Sequence, residues 1–317
     1  MAALASWSFD LDAYLERIGL AVDSTRSKGP NLEVLTEVMA AQTRAIAFEN
    51  LDVVLETMVS IQPEDVERKL VRRKRGGYCF EQNTLLQLAL AALHFPKVQP
   101  LLCRVRWGKR PDEVTPYTHM ALRVRVDAGP AGFEAGDYLV DVGFAGTNSI
   151  RPLRMGDDAE QRMVDGVFRL RTGDAPGFTT CSLRTAASSS DGGSWRDLYT
   201  FCAGADTALA DLEQANWWSC TKPGARFTGQ FFVSRTGESG DKHHILNGDY
   251  VVRRRRLPGN DDEADDDEGA SVFEAPESTV IRGKEHLLEL LTTTFGIEPP
   301  AGDVGSKTID RYLTPAL

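Results

Sequence analysis

Arg75-Gly76-Gly77-Tyr78-Cys79-Phe80-Glu81-Gln82-Asn83 is the stretch on which the reading of this chain turns. Two consecutive glycines permit a sharp turn and a close backbone approach. Behind them Phe80, Thr84, Leu88 and Ala91 fall on one stripe at helical spacing. The spacing predicts a helix with Cys79 in its first turn. There the macrodipole and the unpaired backbone N–H groups favour negative charge on sulfur. The same N–H groups are placed to stabilise an oxyanion on an acyl group carried by that sulfur. A small buried residue at a helix start is the plain alternative, and the stretch alone leaves both open.

Upstream the pattern is mostly helical. Asp10 is placed to cap a helix with Leu11, Tyr14, Leu15 and Ile18 on one face and Gly19 as its stop. Leu32, Leu35, Val38 and Met39 mark a second helix. Pro63-Glu64-Asp65 opens a third, with proline in the first turn and two acids at the positive end of the dipole. From about Val98 the period changes to two. Residues 101–107, 120–126 and 138–142 read as strands, and 168–170 and 181–183 continue the pattern. After a small-polar loop at 188–193, residues 206–216 read as a short helix, 230–234 and 247–255 as strands, and 287–295 as a final amphipathic helix stopped by Gly296.

Two polar residues stand out against the strand pattern. His119 enters an alternating strand after Pro116-Tyr117-Thr118. Asp141 lies inside Tyr138-Leu139-Val140-Asp141-Val142-Gly143-Phe144, where a carboxylate is costly to bury unless it is paired or hydrogen-bonded. Each has a structural reading of its own, as a satisfied core histidine and as a backbone-bonded carboxylate. Taken with Cys79 they form a set: a thiol nucleophile needs a base, and the imidazole needs an orienting acceptor. The order Cys, His, Asp, with base and acid on two neighbouring strands, is the pattern of papain-like and transglutaminase-like enzymes. Phe48 and Glu49, in Phe48-Glu49-Asn50-Leu51, are placed to line a pocket and to hydrogen-bond around the nucleophile helix. His243 and His244 lack a third ligand at useful spacing, His94 and His286 read as helix-surface residues, and no metal site is read.

Composition narrows the partners. The chain has 317 residues, 42% hydrophobic and 26% charged, with five Trp, seven Tyr and fourteen Phe to anchor a core. That excludes collagen-like, fully disordered and small disulfide-stapled classes. The net charge of −10 disfavours nucleic acid as a partner. Seven of the acids fall in the run 261–268, which reads as a solvated loop after Arg253-Arg254-Arg255-Arg256. No apolar stretch approaches the ~20 residues of a membrane span. The first residues carry no signal-peptide pattern. Five widely spaced cysteines without a CxxC pair point to a reducing, cytoplasmic setting.

The nucleophile stretch, Thr118-His119-Met120, Val140-Asp141-Val142-Gly143-Phe144 and Phe48-Glu49-Asn50-Leu51 together resemble, in order, the four motifs of the arylamine N-acetyltransferase family. The likeness continues more loosely from Asn216-Trp217-Trp218-Ser219 to about Arg255. The resemblance implies an α+β fold on a cysteine-protease/transglutaminase-like core. Its parts would be an N-terminal helical bundle over 1–96 carrying Cys79, a β-barrel-like middle over 97–205 carrying His119 and Asp141, and a C-terminal α/β lid over 206–317. It implies a Cys79–His119–Asp141 triad and ping-pong transfer. Cys79 would take an acetyl or other short acyl group from acyl-CoA and pass it to an arylamine, hydrazine or arylhydroxylamine. Acyl-CoA would be a co-substrate, with no tightly bound cofactor and no metal. Phe48 and Phe144 would wall the acceptor ring beside Thr118, and Gly143, Ala145 and Thr115 would meet the donor. The expected partners are these small molecules, with neither nucleic acid nor membrane, in a monomer or weak homo-oligomer.

Two residues depart from the family pattern: Ala47 stands where proline is usual, and Ala145 where glycine commonly follows the phenylalanine. A methyl at 145 would narrow the donor's approach if that glycine serves backbone clearance. An amide synthase, which takes its acyl chain from a carrier protein, would carry the same three residues. A non-catalytic binding protein on the same fold is the reading from another class.

Overall fold

A computed structural model of the chain describes residues 7–110, 112–127, 135–173, 175–184, 194–256, 272–299 and 307–313. The 188–193 loop and the 261–268 acidic run fall outside the described residues.

Helices α1 (Leu11–Arg17), α2 (Val22–Lys28) and α3 (Leu32–Ala45) open the chain. Asp10 caps α1 by accepting Ala13 N–H at 3.0 Å, and Gly19 lies at φ +76° just past its end. Helix α2 carries no apolar stripe, and only its Thr25 is buried, so its sequence holds no periodic signal. Strand β1 (Phe48–Glu49) and the single turn α4 (Leu51–Val54) follow. Helix α5 (Pro63–Glu67) begins on its proline and runs into a π-helical turn, Arg68–Arg72.

The Arg75–Asn83 stretch then enters α6 (Cys79–Ala92), with Cys79 as its first residue. One apolar stripe is not the whole of it: every residue from Cys79 to Leu86 is buried. A helix enclosed on all sides shows little amphipathic contrast. Its polar side chains are inside because they have partners there. Gln82 donates to the Ala47 carbonyl at 2.9 Å, and Glu81 accepts from Lys69 at 2.7 Å.

Eight antiparallel strands form a nearly closed barrel: β2 (Lys97–Val105), β3 (Tyr117–Val126), β4 (Gly136–Val140), β5 (Leu153–Arg154), β6 (Gln161–Met163), β7 (Gly166–Thr172), β8 (Phe178–Arg184) and β9 (Trp195–Cys202). Their order is β5-β4-β3-β2-β9-β8-β7-β6. The Gln161 side chain draws the two ends together, meeting the Arg154 N–H at 2.7 Å and its carbonyl at 2.9 Å. Met120, Leu122 and Val124 of β3 face the helices, while Ala121 joins the barrel interior with Leu101, Cys103 and Phe201. Both faces of β3 are therefore covered over Met120–Leu122, where the run is apolar, and Arg123 and Arg125 then alternate with the buried Val124 and Val126. The strand read over 138–142 ends at Val140 instead. Asp141 turns the chain out of the sheet by accepting Gly143 N–H at 2.8 Å.

After α7 (Leu209–Thr221), which runs beyond the expected 216, and α8 (Arg226–Gly229) comes a second sheet. It holds β10 (Phe232–Thr236), β11 (Lys242–Leu246), β12 (Asp249–Arg253) and β13 (Glu277–Val280), ordered β1-β10-β11-β12-β13. His243 and His244 thus lie within a strand rather than ahead of one. Helix α9 (Gly283–Glu289) continues as a π-helical turn, Leu290–Thr294, over the far face of this sheet, with α10 (Lys307–Leu313) beside it. His286 is on α9, where its Nδ1 accepts Arg282 N–H, and His94 lies just past the end of α6. Among the described residues no helix is long and apolar enough to cross a membrane.

The N-terminal β1 is an edge strand of the C-terminal sheet, with Phe48 opposite Ser234. Asn50 locks this junction. Its amide donates to the carbonyls of Phe227 at 3.0 Å and Gln230 at 2.7 Å, and its oxygen accepts Phe232 N–H at 2.8 Å. Asn50→Ala leaves three backbone groups without partners at a cost of about 3 kcal/mol. Urea unfolding checks this; a loss under about 1 kcal/mol would mean water replaces the amide.

Candidate active site

The three chemistry-bearing residues meet where α6, β3 and the end of β4 converge. His119, in the second position past the start of β3, is buried, with Nε2 2.7 Å from Asp141 Oδ2. Burial alone pushes an imidazole towards its neutral form. The adjacent Asp141 carboxylate more than reverses this and lifts His119 to about 10. Burial likewise works against the Asp141 carboxylate, but His119 holds it below the usual aspartate range. Cys79 interacts with the same imidazole, and its Sγ lies 3.7 Å from the Thr118 carbonyl.

Asn83, one turn along α6 from Cys79, binds the pieces to one another. Its amide donates to the Met120 carbonyl at 2.8 Å and to Asp141 Oδ1 at 3.1 Å, and its oxygen accepts Val142 N–H at 3.2 Å. One side chain therefore ties α6 to β3 and to the chain just past β4. Gly143 packs directly on Cys79: a Cβ there would lie 2.7 Å from its Cα.

Phe144 stands edge-on to the His119 ring at 5.0 Å. Phe48 lies on another side, 5.8 Å from Phe227 and 5.7 Å from Phe232. Thr115 sits in the β2–β3 connection, where its hydroxyl donates to the Val105 carbonyl at 3.0 Å. That bond holds the hairpin. Ala145 is half-buried with φ +48°, a left-handed conformation that suits glycine.

Beneath α6 lies a buried ionic network. Arg75 grips Glu49 Oε1 with Nη2 at 2.8 Å and Nε at 3.2 Å, and reaches Asp52 at 2.8 Å. Lys69 joins Asp52 at 2.6 Å to Glu81 at 2.7 Å. Glu81 also accepts Tyr78 N–H at 3.0 Å, fixing the peptide ahead of Cys79. Burial pushes Glu81 up to about 7 in spite of the Lys69 ammonium.

Sequence reasoning missed two aromatics. Tyr199 of β9 lies 4.8 Å from the His119 ring and 5.1 Å from Phe144, and its phenol interacts with Asp141. Its signal was the alternation in Trp195-Arg196-Asp197-Leu198-Tyr199-Thr200-Phe201, a strand that reading passed over. Phe227, 5.5 Å from Tyr78, belongs to α8, a single helical turn too short to leave a periodic signal. Among the described residues no group of three or more His, Cys, Asp or Glu is placed to hold a metal.

Two outcomes follow from these geometries. The folded-state value of His119 is raised from 6.5 to about 10, so its share of stability is complete below about pH 6.5 and is lost as pH rises through about 10. In Asp141→Asn burial prevails, and the ring is neutral at pH 7.5. Imidazole nitrogen shifts in NMR distinguish the two; a wild-type ring neutral at pH 7.5 contradicts the pairing. Ala145→Gly relieves the left-handed strain and raises stability by about 1 kcal/mol, read as a higher urea midpoint at unchanged slope.

Similarity to known proteins extends over most of the chain. The N-acetyltransferase family model matches residues 31–298. The arylamine N-acetyltransferase of Mycobacterium tuberculosis is 34% identical over 222 residues, 69% of this chain and 72% of the relative. The Salmonella typhimurium arylamine N-acetyltransferase / N-hydroxyarylamine O-acetyltransferase is 32% identical over 218 residues, 69% of this chain and 71% of that protein. The solved structure of Mycobacterium marinum arylamine N-acetyltransferase in complex with CoA aligns with a TM-score of 0.76 at 28% identity, over 96% of this chain and 98% of that one. With a family model over most of the chain, a relative at 34% identity and the same overall fold, the chain belongs to the arylamine N-acetyltransferase family.

Proposed function

We propose that this chain is an acyl-CoA-dependent arylamine N-acyltransferase working through a Cys79 thioester. The observation that carries the reading is the buried His119–Asp141 pair, 2.7 Å apart, beside a cysteine at the first position of a helix. A cationic imidazole there stabilises thiolate character on Cys79 and holds the proton that the leaving group needs. Relatives named as arylamine N-acetyltransferases, one solved with CoA, support the substrate classes.

In the first half-reaction Cys79 sulfur attacks the thioester carbonyl of acetyl-CoA or another short acyl-CoA. A carbon–sulfur bond forms to Cys79, the bond to CoA sulfur breaks, and CoA leaves with the proton from His119. In the second, the amine nitrogen of an arylamine, hydrazine or arylhydroxylamine attacks the acyl carbon. His119 takes the proton released from nitrogen as the bond to Cys79 breaks. Asp141 stays ionised and orients the ring.

Phe48 and Phe144, with Phe227, wall the acceptor ring beside Thr118. Gly143 and Ala145 lie on the donor side, where Gly143 has no side chain to keep the acyl group from sulfur; Thr115 supports that side through the hairpin. In this reading residues 1–96 bring the nucleophile, 97–205 the base and acid, and 206–317 the wall opposite them. The protein works in the cytoplasm as a monomer or weak homo-oligomer.

Wild-type protein mixed with acetyl-CoA and no amine is expected to gain one acetyl group on Cys79 and release CoA, read by intact mass and peptide mapping. Adding an aromatic amine discharges it. Cys79→Ala removes one small side chain, folds, and forms no adduct. A wild-type protein left unmodified by acetyl-CoA, or turnover by Cys79→Ala, overturns the reading.

A further inference from the structure

The loop from Asp141 to Ile150 is held at both ends by different groups. At its start, Gly143 N–H donates to Asp141 Oδ1 at 2.8 Å and the Asn148 amide to the Asp141 carbonyl at 2.8 Å. At its far end, Ile150 N–H donates to Asp165 Oδ2 at 3.0 Å. Asp165 lies in the tight turn between β6 and β7. The ammonium of Lys242, on β11 of the other sheet, lies 3.9 Å from that same oxygen and donates to Thr236 Oγ1 at 3.0 Å. Between the two ends Gly146, at φ +81°, presses on the second sheet. A Cβ there would lie 2.5 Å from Ser234 Oγ and 2.7 Å from His244 Cε1.

These residues use buried polarity that the proposed chemistry does not need. Lys242 is only 4% exposed. Asp165 Oδ1 and Ser234 Oγ are buried without a protein hydrogen-bond partner. A buried ammonium is costly unless a carboxylate compensates it, and here the two charges come from different sheets. The pair therefore joins barrel to C-terminal sheet at the point where the loop ends. The start of the loop has its own ties through Asn83, His119 and Asp141. Loosening the far end thus leaves residues 144–150 held only from the Asp141 side, while the reacting groups stay in place.

We propose that Lys242 and Asp165 are positioning residues, whose pair clamps the far end of the 141–150 loop against both sheets and so shapes the acyl-donor side of the site. The clamp rests on the reading of that loop as the donor side. None of Asp165, Ser234, Thr236 and Lys242 lies in the four motifs that carry the family resemblance.

The test loads Cys79 from two acetyl donors: acetyl-CoA, and p-nitrophenyl acetate, which has no pantetheine or nucleotide. Lys242→Met keeps the apolar stem and removes the charge. It is expected to lower kcat/KM for acetyl-CoA about tenfold, mostly through KM, the scale of losing one buried supporting contact. Loading from p-nitrophenyl acetate stays within about twofold. Asp165→Asn keeps an oxygen for Ile150 N–H, shows the same split to a smaller degree, and serves if Lys242→Met does not fold. Amide hydrogen exchange at 147–150 speeds up in both variants, while that at Gly143 does not. Equal slowing with both donors, or unchanged acetyl-CoA kinetics, overturns the clamp. A wild-type protein loaded by p-nitrophenyl acetate but not by acetyl-CoA sinks the donor reading instead. Unchanged exchange at 147–150 then sinks the clamp separately.

Discussion

A cationic imidazole with almost no contact with solvent is tolerable only where a carboxylate compensates it. His119 meets Asp141 at 2.7 Å for that reason. Much of the surrounding architecture supports this contact. Asp141 has Gly143 N–H and the Asn83 amide on its other oxygen, so few of its lone pairs are left without a donor. Asn83 in turn reaches β3 and the chain just past β4, so the helix that carries Cys79 cannot shift against the strands without breaking the pair's support. Tyr199 and Phe144 cover the ring and exclude water, which raises the value of each remaining electrostatic contact.

A second set of buried charges does for the helix what Asp141 does for the histidine. Glu49, Asp52, Lys69, Arg75 and Glu81 lie below the first turn of α6 and hold the Arg75–Tyr78 turn in one geometry. Glu49 also belongs to β1, the strand that crosses into the C-terminal sheet. The Arg75–Tyr78 turn and the sheet opposite it therefore share a support. Asn50, the next residue, locks the chain near Phe227 and Phe232 to the same place. The Phe48-Glu49-Asn50-Leu51 segment acts as the joint between the two halves of the site more than as a wall alone.

The legible parts were those with a strong local cause. Helix α1 was visible because Asp10 caps it, Gly19 ends it and an apolar stripe lies between. Strand β3 was visible because Met120, Ala121 and Leu122 are apolar and Val124 and Val126 then alternate with arginines. The glycine pair and the cysteine marked the start of α6. By contrast α2 has no apolar stripe, and β11 contains Lys242, His243 and His244, which no strand pattern predicts. That strand forms because it pairs with β10 on one side and β12 on the other, and such pairing depends on the partners rather than on its own pattern. The end of β4 was misplaced for a related reason: Asp141 turns the backbone through a hydrogen bond to its own loop, which periodicity does not register.

By itself the sequence determined the helix-then-strand order and the glycine turn ahead of Cys79, and it singled out His119 and Asp141 as polar residues in apolar strands, because these depend on residue type at short range. Only the tertiary structure decided that β1 crosses to the far sheet, that Tyr199 and Phe227 reach the site, and that Lys242 meets Asp165. Those contacts join residues dozens to nearly two hundred positions apart in the chain. Neither partner's neighbourhood carries a trace of the other, since the free energy that selects such contacts comes from burial and pairing and arises only once the layers have packed.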